Sequence, residues 1–301
     1  MASRNGIDVR TLPTLTDLYE SGELSVPETI TNSTLKSANG TFQPSAAINN
    51  KVVFLRGDLT NLKADAIVNA ANRSLLGGGG VDGAIHRAAG PNLLQACIPL
   101  NGCATGDAKI TPGFRLPAKF VIHTVGPVYD DLDPQDSNRL LASCYSRSLE
   151  VAVGNEPERI RTIAFCAIST GIYGFPSVAA SAQAVVAVRK FLDSEAGKQI
   201  DRVVFVTFEM KDVDAYRKAL PIAFPPVPTA DETAETGNSV PAGAADEDVA
   251  PANPENENEA PAAPSASAAD TGDAPAADIP PKVAKEKVDD DQPLANLVNK
   301  E

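Results

Sequence analysis

Continuous apolar runs, rather than alternating apolar and polar positions, mark the strands of this chain. Each run is rich in β-branched residues, and four of the five are followed closely by Gly, Asn or Ser. The runs are 51–56, 66–70, 120–125, 162–168 and 202–208. Strands that lack a polar face are typical of sheets buried on both sides. The pattern therefore predicts a sheet with helices above and below it.

Helical periodicity fills the intervals between these runs. Apolar residues there recur every three or four positions, which is the spacing of one helix face. Helices are expected over 15–21, 81–97, 141–152, 178–192 and 213–220. The stretch 98–119 is rich in Gly, Pro, Thr and Ala, so we expect it to be irregular. Strands that alternate with helices predict a three-layer α/β/α domain.

The acidic charge of the chain is confined to its C-terminal quarter. The net charge is −13, and residues 225–301 carry 17 acidic and 4 basic residues, which also gives −13. This segment has no aromatic residue and is rich in Ala and Pro, so it cannot bury enough apolar surface to offset its chain entropy. We predict a disordered tail over 225–301, a folded domain over 44–224 and a partly ordered N-terminal extension over 1–43.

Composition argues against several classes of protein. No apolar stretch is long enough to span a membrane, and Asp8, Asp17 and Glu20 are unlike a secretory signal. The four cysteines form no CxxC pair, so we expect reduced thiols and a cytoplasmic or nuclear location. A neutral domain with an acidic tail lacks the positive charge that neutralises phosphates, so we expect no nucleic-acid binding.

Two loops of unusual composition follow predicted strands. The loop 72–83 contains four consecutive glycines before Val81, and the loop 169–177 places Tyr173 and Phe175 beside glycines. Ligands of open α/β sheets bind at the carboxyl ends of the strands, and backbone N–H groups at helix starts bind anions. Two such loops facing each other predict a site for a diphosphate.

The polar residues near these loops each have a structural and a functional interpretation. Asp82 is either the cap of the helix that begins there or a carboxylate that orients or deprotonates water. Asn69 and Asn72 are turn residues or amides that hold a sugar diol. Asp58 is a turn residue or cap, or else an acceptor for the exocyclic amine of a base. Tyr173 is a core residue or a platform for a ribose or base.

The two histidines show no metal-binding spacing. His123 lies within an apolar run and is interpreted as a buried structural group. His86 lies four residues after Asp82, where it either packs on the helix or pairs with that carboxylate. The spacing His86-x10-Cys97-x5-Cys103 matches no usual zinc site, so we predict that the protein needs no metal and no cofactor.

Four motifs, in order, resemble those of the macrodomain family and, within it, the MacroD-type ADP-ribosylhydrolases. They are Gly57-Asp58-Leu59-Thr60, DAIVNAAN at 65–72, GGGGVDGAIH at 77–86 and ISTGIYGFP at 168–176. The resemblance covers residues 50–220. It implies a mixed, mostly parallel central sheet, binding of ADP-ribose, and removal of single ADP-ribose groups from acidic side chains of proteins. It also implies hydrolysis of O-acetyl-ADP-ribose.

The resemblance further assigns roles by position. Asp58 would bind the adenine amino group, Asn72 the distal ribose hydroxyls, and Asp82 would position or activate water, so that Asp82 and Asn72 are the implied catalytic residues. Asn69 is counted with the ligand-binding residues. The other implied ligand-binding residues are Leu59, Gly79, Gly80, Val81, Ser169, Thr170, Gly171, Ile172, Tyr173 and Phe175.

Two alternatives remain open from the sequence. One is a reader module that binds ADP-ribose without hydrolysing it, and the acid at position 82 argues against it because many readers lack one there. The other is an enzyme for a free metabolite such as ADP-ribose 1″-phosphate, which would use the same pocket. We expect a monomer that acts on mono-ADP-ribosylated proteins. Arg73 departs from the family pattern, which favours a small polar residue at this position.

Overall fold

The computed structural model describes residues 6–26 and 42–228, and these form a mixed sheet flanked by helices. Two short strands, β1 (Ile7–Asp8) and β3 (Leu62–Lys63), pair with each other in parallel. The strands of the main sheet are β2 (Val52–Arg56), β4 (Ala66–Ala71), β5 (Ala108–Pro112), β6 (Phe120–Val125), β7 (Thr162–Cys166) and β8 (Arg202–Thr207). Their spatial order is β2-β8-β7-β4-β6-β5, and every neighbouring pair is parallel except β5 and β6. The predicted α/β/α fold with a mostly parallel sheet is confirmed.

Helices fill the predicted intervals, with one division that the periodicity did not show. They are α1 (Leu15–Glu20), α2 (Ala46–Asn49), α3 (Gly80–Ala89), α4 (Pro91–Cys97), α5 (Pro134–Val153), α6 (Ser177–Asp193) and α7 (Met210–Ala223). The single helix expected over 81–97 is broken at Gly90, whose φ of 82° lies in the left-handed region, and Pro91 begins the next helix. No helix among the described residues is long and apolar enough to cross a membrane.

The edge strand β5 lies inside 98–119, so the prediction that this stretch is irregular is wrong. Antiparallel pairing with β6 runs from Ala108 opposite Thr124 to Pro112 opposite Phe120. A proline is tolerated at the end of an edge strand because no further partner needs its missing N–H group. Pairing with β6, rather than local composition, therefore makes this segment a strand.

Burial on both faces accounts for the continuous apolar runs. All five residues of β7 are buried, as are five of the six in β4 and in β8. The rings of Phe165 and Phe205 lie 6.5 Å apart between centroids, and the ring of Tyr216 on α7 lies 5.3 Å from that of Phe205. The central strands are therefore held by packing from residues distant in sequence.

The described part of the N-terminal extension packs on the domain through a hydrogen bond to the end of the fold. The Tyr19 hydroxyl of the extension donates to the Phe224 carbonyl at 2.8 Å; within the domain itself, the Asn49 amide donates to the Pro225 carbonyl at 2.9 Å. Pro225 is buried, so the folded part extends beyond the predicted boundary at Phe224. The rest of the predicted tail, 229–301, lies outside the described residues.

A buried arginine on α6 joins the two ends of the domain. The guanidinium of Arg189 donates to the carbonyls of Gln43 at 2.7 Å and Ala223 at 2.6 Å, and its Nε donates to Asp193 at 3.0 Å. It also lies 5.3 Å from the ring centroid of Phe42. Because the Ala223 carbonyl is buried, the arginine satisfies an acceptor that would otherwise be unpaired.

Replacing Arg189 tests how much its contacts with the two ends of the domain contribute to the free energy of unfolding. We expect Arg189→Met to lower the free energy of unfolding by about 2–4 kcal/mol, because hydrogen bonds to a charged group are lost and the buried Ala223 carbonyl is left unpaired. Urea denaturation of both proteins measures the difference. Arg159→Met is the matched control, since Arg159 is exposed and meets Glu156 only at 3.6 Å. Equal effects of the two substitutions would show that the buried contacts are not important.

Candidate functional site

The carboxyl ends of four parallel strands bring the predicted site segments to one edge of the sheet. The strands β2, β8, β7 and β4 are neighbours, in that order, and all run in the same direction. Asp58 follows β2, the loop 169–176 follows β7, and the loop 72–79 follows β4. The two loops predicted to face each other are therefore on the same edge, with α3 beginning at the end of the second one.

Asp82 lies in the first turn of α3 and is only 4% exposed. The residue that caps this helix is Gly79, so the interpretation of Asp82 as the cap is wrong. Its Oδ1 atom accepts a hydrogen bond from Asn69 Nδ2 at 2.8 Å and lies 3.4 Å from His86 Nε2. Its Oδ2 atom has no hydrogen-bond partner among the described residues and lies 3.1 Å from where a Cβ atom on Gly78 would be. One oxygen is anchored, and the other faces the glycine loop.

The protonation of Asp82 reflects two opposing influences. Burial raises the pKa of this carboxyl above its usual value, whereas the hydrogen bond from Asn69 and the charge of His86 lower it. Burial is the larger influence, so the net direction is upward. A carboxylate with a raised pKa is better suited to accept a proton near neutral pH than an ordinary surface carboxylate.

Asn69 is held in turn by His123, which the structure buries completely. Asn69 Nδ2 lies 3.1 Å from His123 Nδ1, and His123 Nε2 lies 2.9 Å from Thr111 Oγ1. Because an amide nitrogen only donates, Nδ1 accepts and Nε2 carries the proton. Burial lowers the pKa of His123 to about 3, so the ring is neutral at physiological pH. The interpretation of His123 as a buried structural group is confirmed, and the ring orients the amide that binds Asp82.

His86, Cys97 and His123 form a group of possible metal ligands that the sequence spacing did not show. One donor atom from each lies within 4.8 Å of the other two. Both ring nitrogens of His123 already contact Asn69 and Thr111, and burial raises the pKa of the Cys97 thiol to about 11. We therefore interpret the group as support for Asn69, and the absence of a metal requirement stays a prediction.

The glycine loop is closed by the side chain of Asn72. Its Nδ2 donates to the Gly77 carbonyl at 2.8 Å, and its Oδ1 accepts from the Ser74 backbone N–H at 3.0 Å. Beyond this closure the chain is open: apart from adjacent backbone, no atom of the described residues lies within 4 Å of where a Cβ atom on Gly79 or Gly80 would be, and Gly80 has a φ of 58°. Val81 is half-buried. Asn72 thus shapes the loop, and its contact with a sugar stays a prediction.

The loop after β7 leaves a row of backbone donors unpaired. The Ser169 and Gly171 carbonyls accept from the Phe175 and Gly174 N–H groups, each at 3.0 Å. By contrast, the N–H groups of residues 170–173 have no acceptor among the described residues. Ser169 has a φ of 66°, an unusual value for a residue other than glycine. Consecutive free N–H groups in such a turn form a site for an anion.

The apolar residues of this loop divide into buried and exposed ones. The Phe175 ring is buried and packs 4.8 Å from that of Tyr129, while Tyr173 is half-buried. Ile172 is 94% exposed. Phe175 therefore belongs to the core beside the loop, and Ile172 presents its side chain to the solvent.

The far end of the edge carries Asp58 and an aromatic residue that the sequence analysis did not select. Asp58 is exposed, and its Oδ1 accepts from the Thr60 N–H at 2.9 Å, so its interpretation as a turn residue is confirmed; Leu59 beside it is buried. Phe208 is 74% exposed, and the Gly57 N–H bonds to the Thr207 carbonyl at 2.9 Å, which places Phe208 next to Asp58. The sequence feature that could have identified Phe208 is its position directly after a buried strand.

The raised pKa of Asp82 predicts a stability effect that depends on pH. A carboxyl whose pKa is raised on folding disfavours the folded state when it is ionised, and the penalty is absent at pH values below its unfolded pKa. We expect Asp82→Asn to raise the melting temperature at neutral pH and to give no gain at acid pH, where the wild-type carboxyl is protonated. Thermal melts at both pH values check this, with the exposed Asp214→Asn as control. A lower melting temperature of Asp82→Asn at neutral pH would contradict the burial argument.

Comparisons with known proteins give consistent results. A model of the macro domain family matches residues 68–184. A macro domain-containing protein of Chlorobaculum tepidum is 58% identical over 166 residues, which is 55% of this chain and 93% of that protein. The protein named ADP-ribose glycohydrolase MACROD2 of Xenopus laevis is 54% identical over 58% of this chain, which spans only 41% of the frog protein.

Solved structures agree with the sequence comparison. The Trypanosoma brucei macrodomain in complex with ADP-ribose is 38% identical, with a TM-score of 0.57 over 72% of this chain and 77% of that one. The macro domain of ganglioside induced differentiation associated protein 2 is 34% identical, with a TM-score of 0.62 over 73% of this chain and 98% of that one.

Proposed function

This chain belongs to the macrodomain family, and from that membership we propose that it is a hydrolase that binds ADP-ribose and releases it from acidic side chains of mono-ADP-ribosylated proteins. Two observations on relatives support the ligand and the reaction: a similar macrodomain has been solved with ADP-ribose, and similar proteins are named ADP-ribose glycohydrolases. In this chain the proposal rests on Asp82, which is buried and anchored through one oxygen while the other faces the glycine loop.

The edge of the sheet that carries Asp58 and the loops 72–79 and 169–176 offers groups that suit each part of ADP-ribose. The free N–H groups of residues 170–173 suit the diphosphate, because they donate hydrogen bonds without a competing protein acceptor. The open glycine loop before Asp82 leaves room for the distal ribose. At the far end Asp58 can accept from the adenine amine, and the exposed ring of Phe208 can stack on the base.

The proposed reaction breaks the bond between the anomeric carbon of the distal ribose and the carboxylate oxygen of the modified protein. A carboxylate is a good leaving group, so strong acid catalysis is not needed. Water adds to the anomeric carbon, the bond to the carboxylate breaks, and Asp82 Oδ2 or a phosphate oxygen accepts the water proton. The positive charge that develops on the ribose is stabilised by the nearby Asp82 carboxylate and by the diphosphate of the substrate.

We extend the proposal to a second substrate, to the cellular compartment and to the oligomeric state. O-acetyl-ADP-ribose contains the same ADP-ribose and also carries a carboxylic ester on its distal ribose, so we propose it as a second substrate. All four cysteines are free and buried, which supports a reducing compartment such as the cytoplasm or the nucleus. We also propose that the protein acts as a monomer.

Hydrolysis of a protein carrying mono-ADP-ribose on glutamate tests the proposal. We expect the wild type to release ADP-ribose and Asp82→Ala to be slower by a factor on the order of 10²–10⁴, because the group that positions and deprotonates water is lost. Binding of ADP-ribose, measured by titration calorimetry, is expected to change little. Asp214→Ala is the matched control on an exposed helix face.

The outcomes separate the candidate functions. Tight binding of ADP-ribose without release by the wild type would contradict hydrolysis and favour a reader module. Release from O-acetyl-ADP-ribose or ADP-ribose 1″-phosphate but not from protein would make the enzyme a metabolite hydrolase. Full activity of Asp82→Ala would contradict the role assigned to the carboxylate.

A further inference from the structure

Two consecutive residues in the first turn of α7 hold the loop after β7. Lys211 Nζ donates to the Thr170 carbonyl at 2.7 Å. The Asp212 carboxylate accepts from the Thr170 hydroxyl at 3.1 Å through Oδ2 and from the Ser177 hydroxyl at 2.7 Å through Oδ1. Asp212 is 4% exposed. Helix α7 therefore binds the beginning of the loop and the residue that follows its end, although these contacts lie 35 to 42 positions apart in sequence.

These contacts fix the direction of the peptide groups in the loop. In a planar trans peptide the carbonyl and the following N–H point in opposite directions. Because the Thr170 carbonyl points to Lys211, the Gly171 N–H points away from that lysine. The Ser169 carbonyl accepts from the Phe175 N–H, and the Gly171 carbonyl accepts from the Gly174 N–H. By the same geometry, the N–H groups of residues 170 and 172 point away from those two donors. Three of the four free donors of the loop, the N–H groups of residues 170–172, are thus oriented by hydrogen bonds on its opposite side.

The negative charge of Asp212 distinguishes a geometric role from direct attraction of the ligand. A buried carboxylate beside a diphosphate would weaken binding through repulsion, since the two negative charges are only partly screened in the protein. Asp212 does not cap its own helix, because Glu209 is the N-cap residue and has no side-chain cap bond. Each carboxylate oxygen accepts a hydrogen bond from one hydroxyl, that of Thr170 in the loop or that of Ser177 at the start of α6. The contribution of Asp212 to the site is therefore geometric.

We propose that Lys211 and Asp212 are positioning residues that hold the Thr170 peptide with its donors exposed, and so set the affinity of the site for ligands that contain a diphosphate. This inference rests on the proposed function in one respect, namely that the diphosphate of ADP-ribose binds to the loop 169–176. Neither residue is assigned a contact with the ligand.

Asp212→Asn tests the proposal because charge and geometry predict opposite results. Removal of a negative charge alone would tighten binding of an anion. Distortion of the loop would weaken it, and loss of a hydrogen bond to a charged group corresponds to a change of about tenfold in the dissociation constant. We expect ADP-ribose to bind about tenfold more weakly, and AMP, which lacks the diphosphate, to be affected by less than about twofold. Titration calorimetry on the full chain measures both.

Matched variants keep the test decisive. Asp214→Asn removes an exposed acid two positions further along α7 and is expected to leave both affinities unchanged. Thr170→Val removes one hydroxyl without touching Asp212, so it decides the question if Asp212→Asn does not fold. It is expected to weaken ADP-ribose binding selectively, and the double variant Thr170→Val/Asp212→Asn to bind less weakly than the two separate losses combined.

Each outcome points in one direction. Equal or tighter binding of ADP-ribose by Asp212→Asn, with normal binding by the wild type and by Asp214→Asn, would overturn the positioning role while leaving the proposed function intact. An equal loss of ADP-ribose and AMP binding would show a general structural effect and would also overturn it. Failure of the wild type to bind ADP-ribose would instead overturn the proposed function, and this inference with it.

Discussion

The hydrogen bond from Asn69 to Asp82 is the contact on which the rest of the site depends. An ionised carboxyl that is 4% exposed is costly unless a donor compensates it, and Asn69 supplies that donor from the end of a central strand. Asn69 is itself oriented by the neutral ring of His123 on the adjacent strand. The sheet therefore determines the position of Asp82, and the packing of β4 against β6 has a direct chemical consequence.

Different contacts hold the two loops of the site, and both sets of contacts leave the inner side of the loop free. Near Asp82, the side chain of Asn72 closes the glycine loop on itself, which leaves the chain around Gly79 open. Near the loop 169–176, contacts from α7 and within the loop occupy the carbonyls and leave a row of N–H groups free. In both places the protein satisfies its own polar groups on the outer side of a loop, so that donors or space remain on the inner side.

Most of the fold was predictable, because the buried strands carry a signal that is local in sequence. The exception among the sheet strands is β5, whose pairing with β6 is not visible in the segment 98–119. The site was predictable where motifs are contiguous, as in 77–86. It was not predictable where partners are distant: His123 beside Asn69 and Asp212 beside Thr170 are contacts that only the folded sheet creates. The role of Asp82 was open in sequence because a first-turn acid is also a common cap.

A crystal structure of Asp82→Asn with ADP-ribose would show where the ligand lies in the site, since the substitution keeps the shape of the side chain and is expected to prevent turnover. We expect the diphosphate to accept hydrogen bonds from the N–H groups of residues 170–173 and the anomeric carbon of the distal ribose to lie beside residue 82, on the side of its free oxygen. A ligand bound with its distal ribose away from residue 82, or with its diphosphate outside the loop after β7, would contradict this expectation.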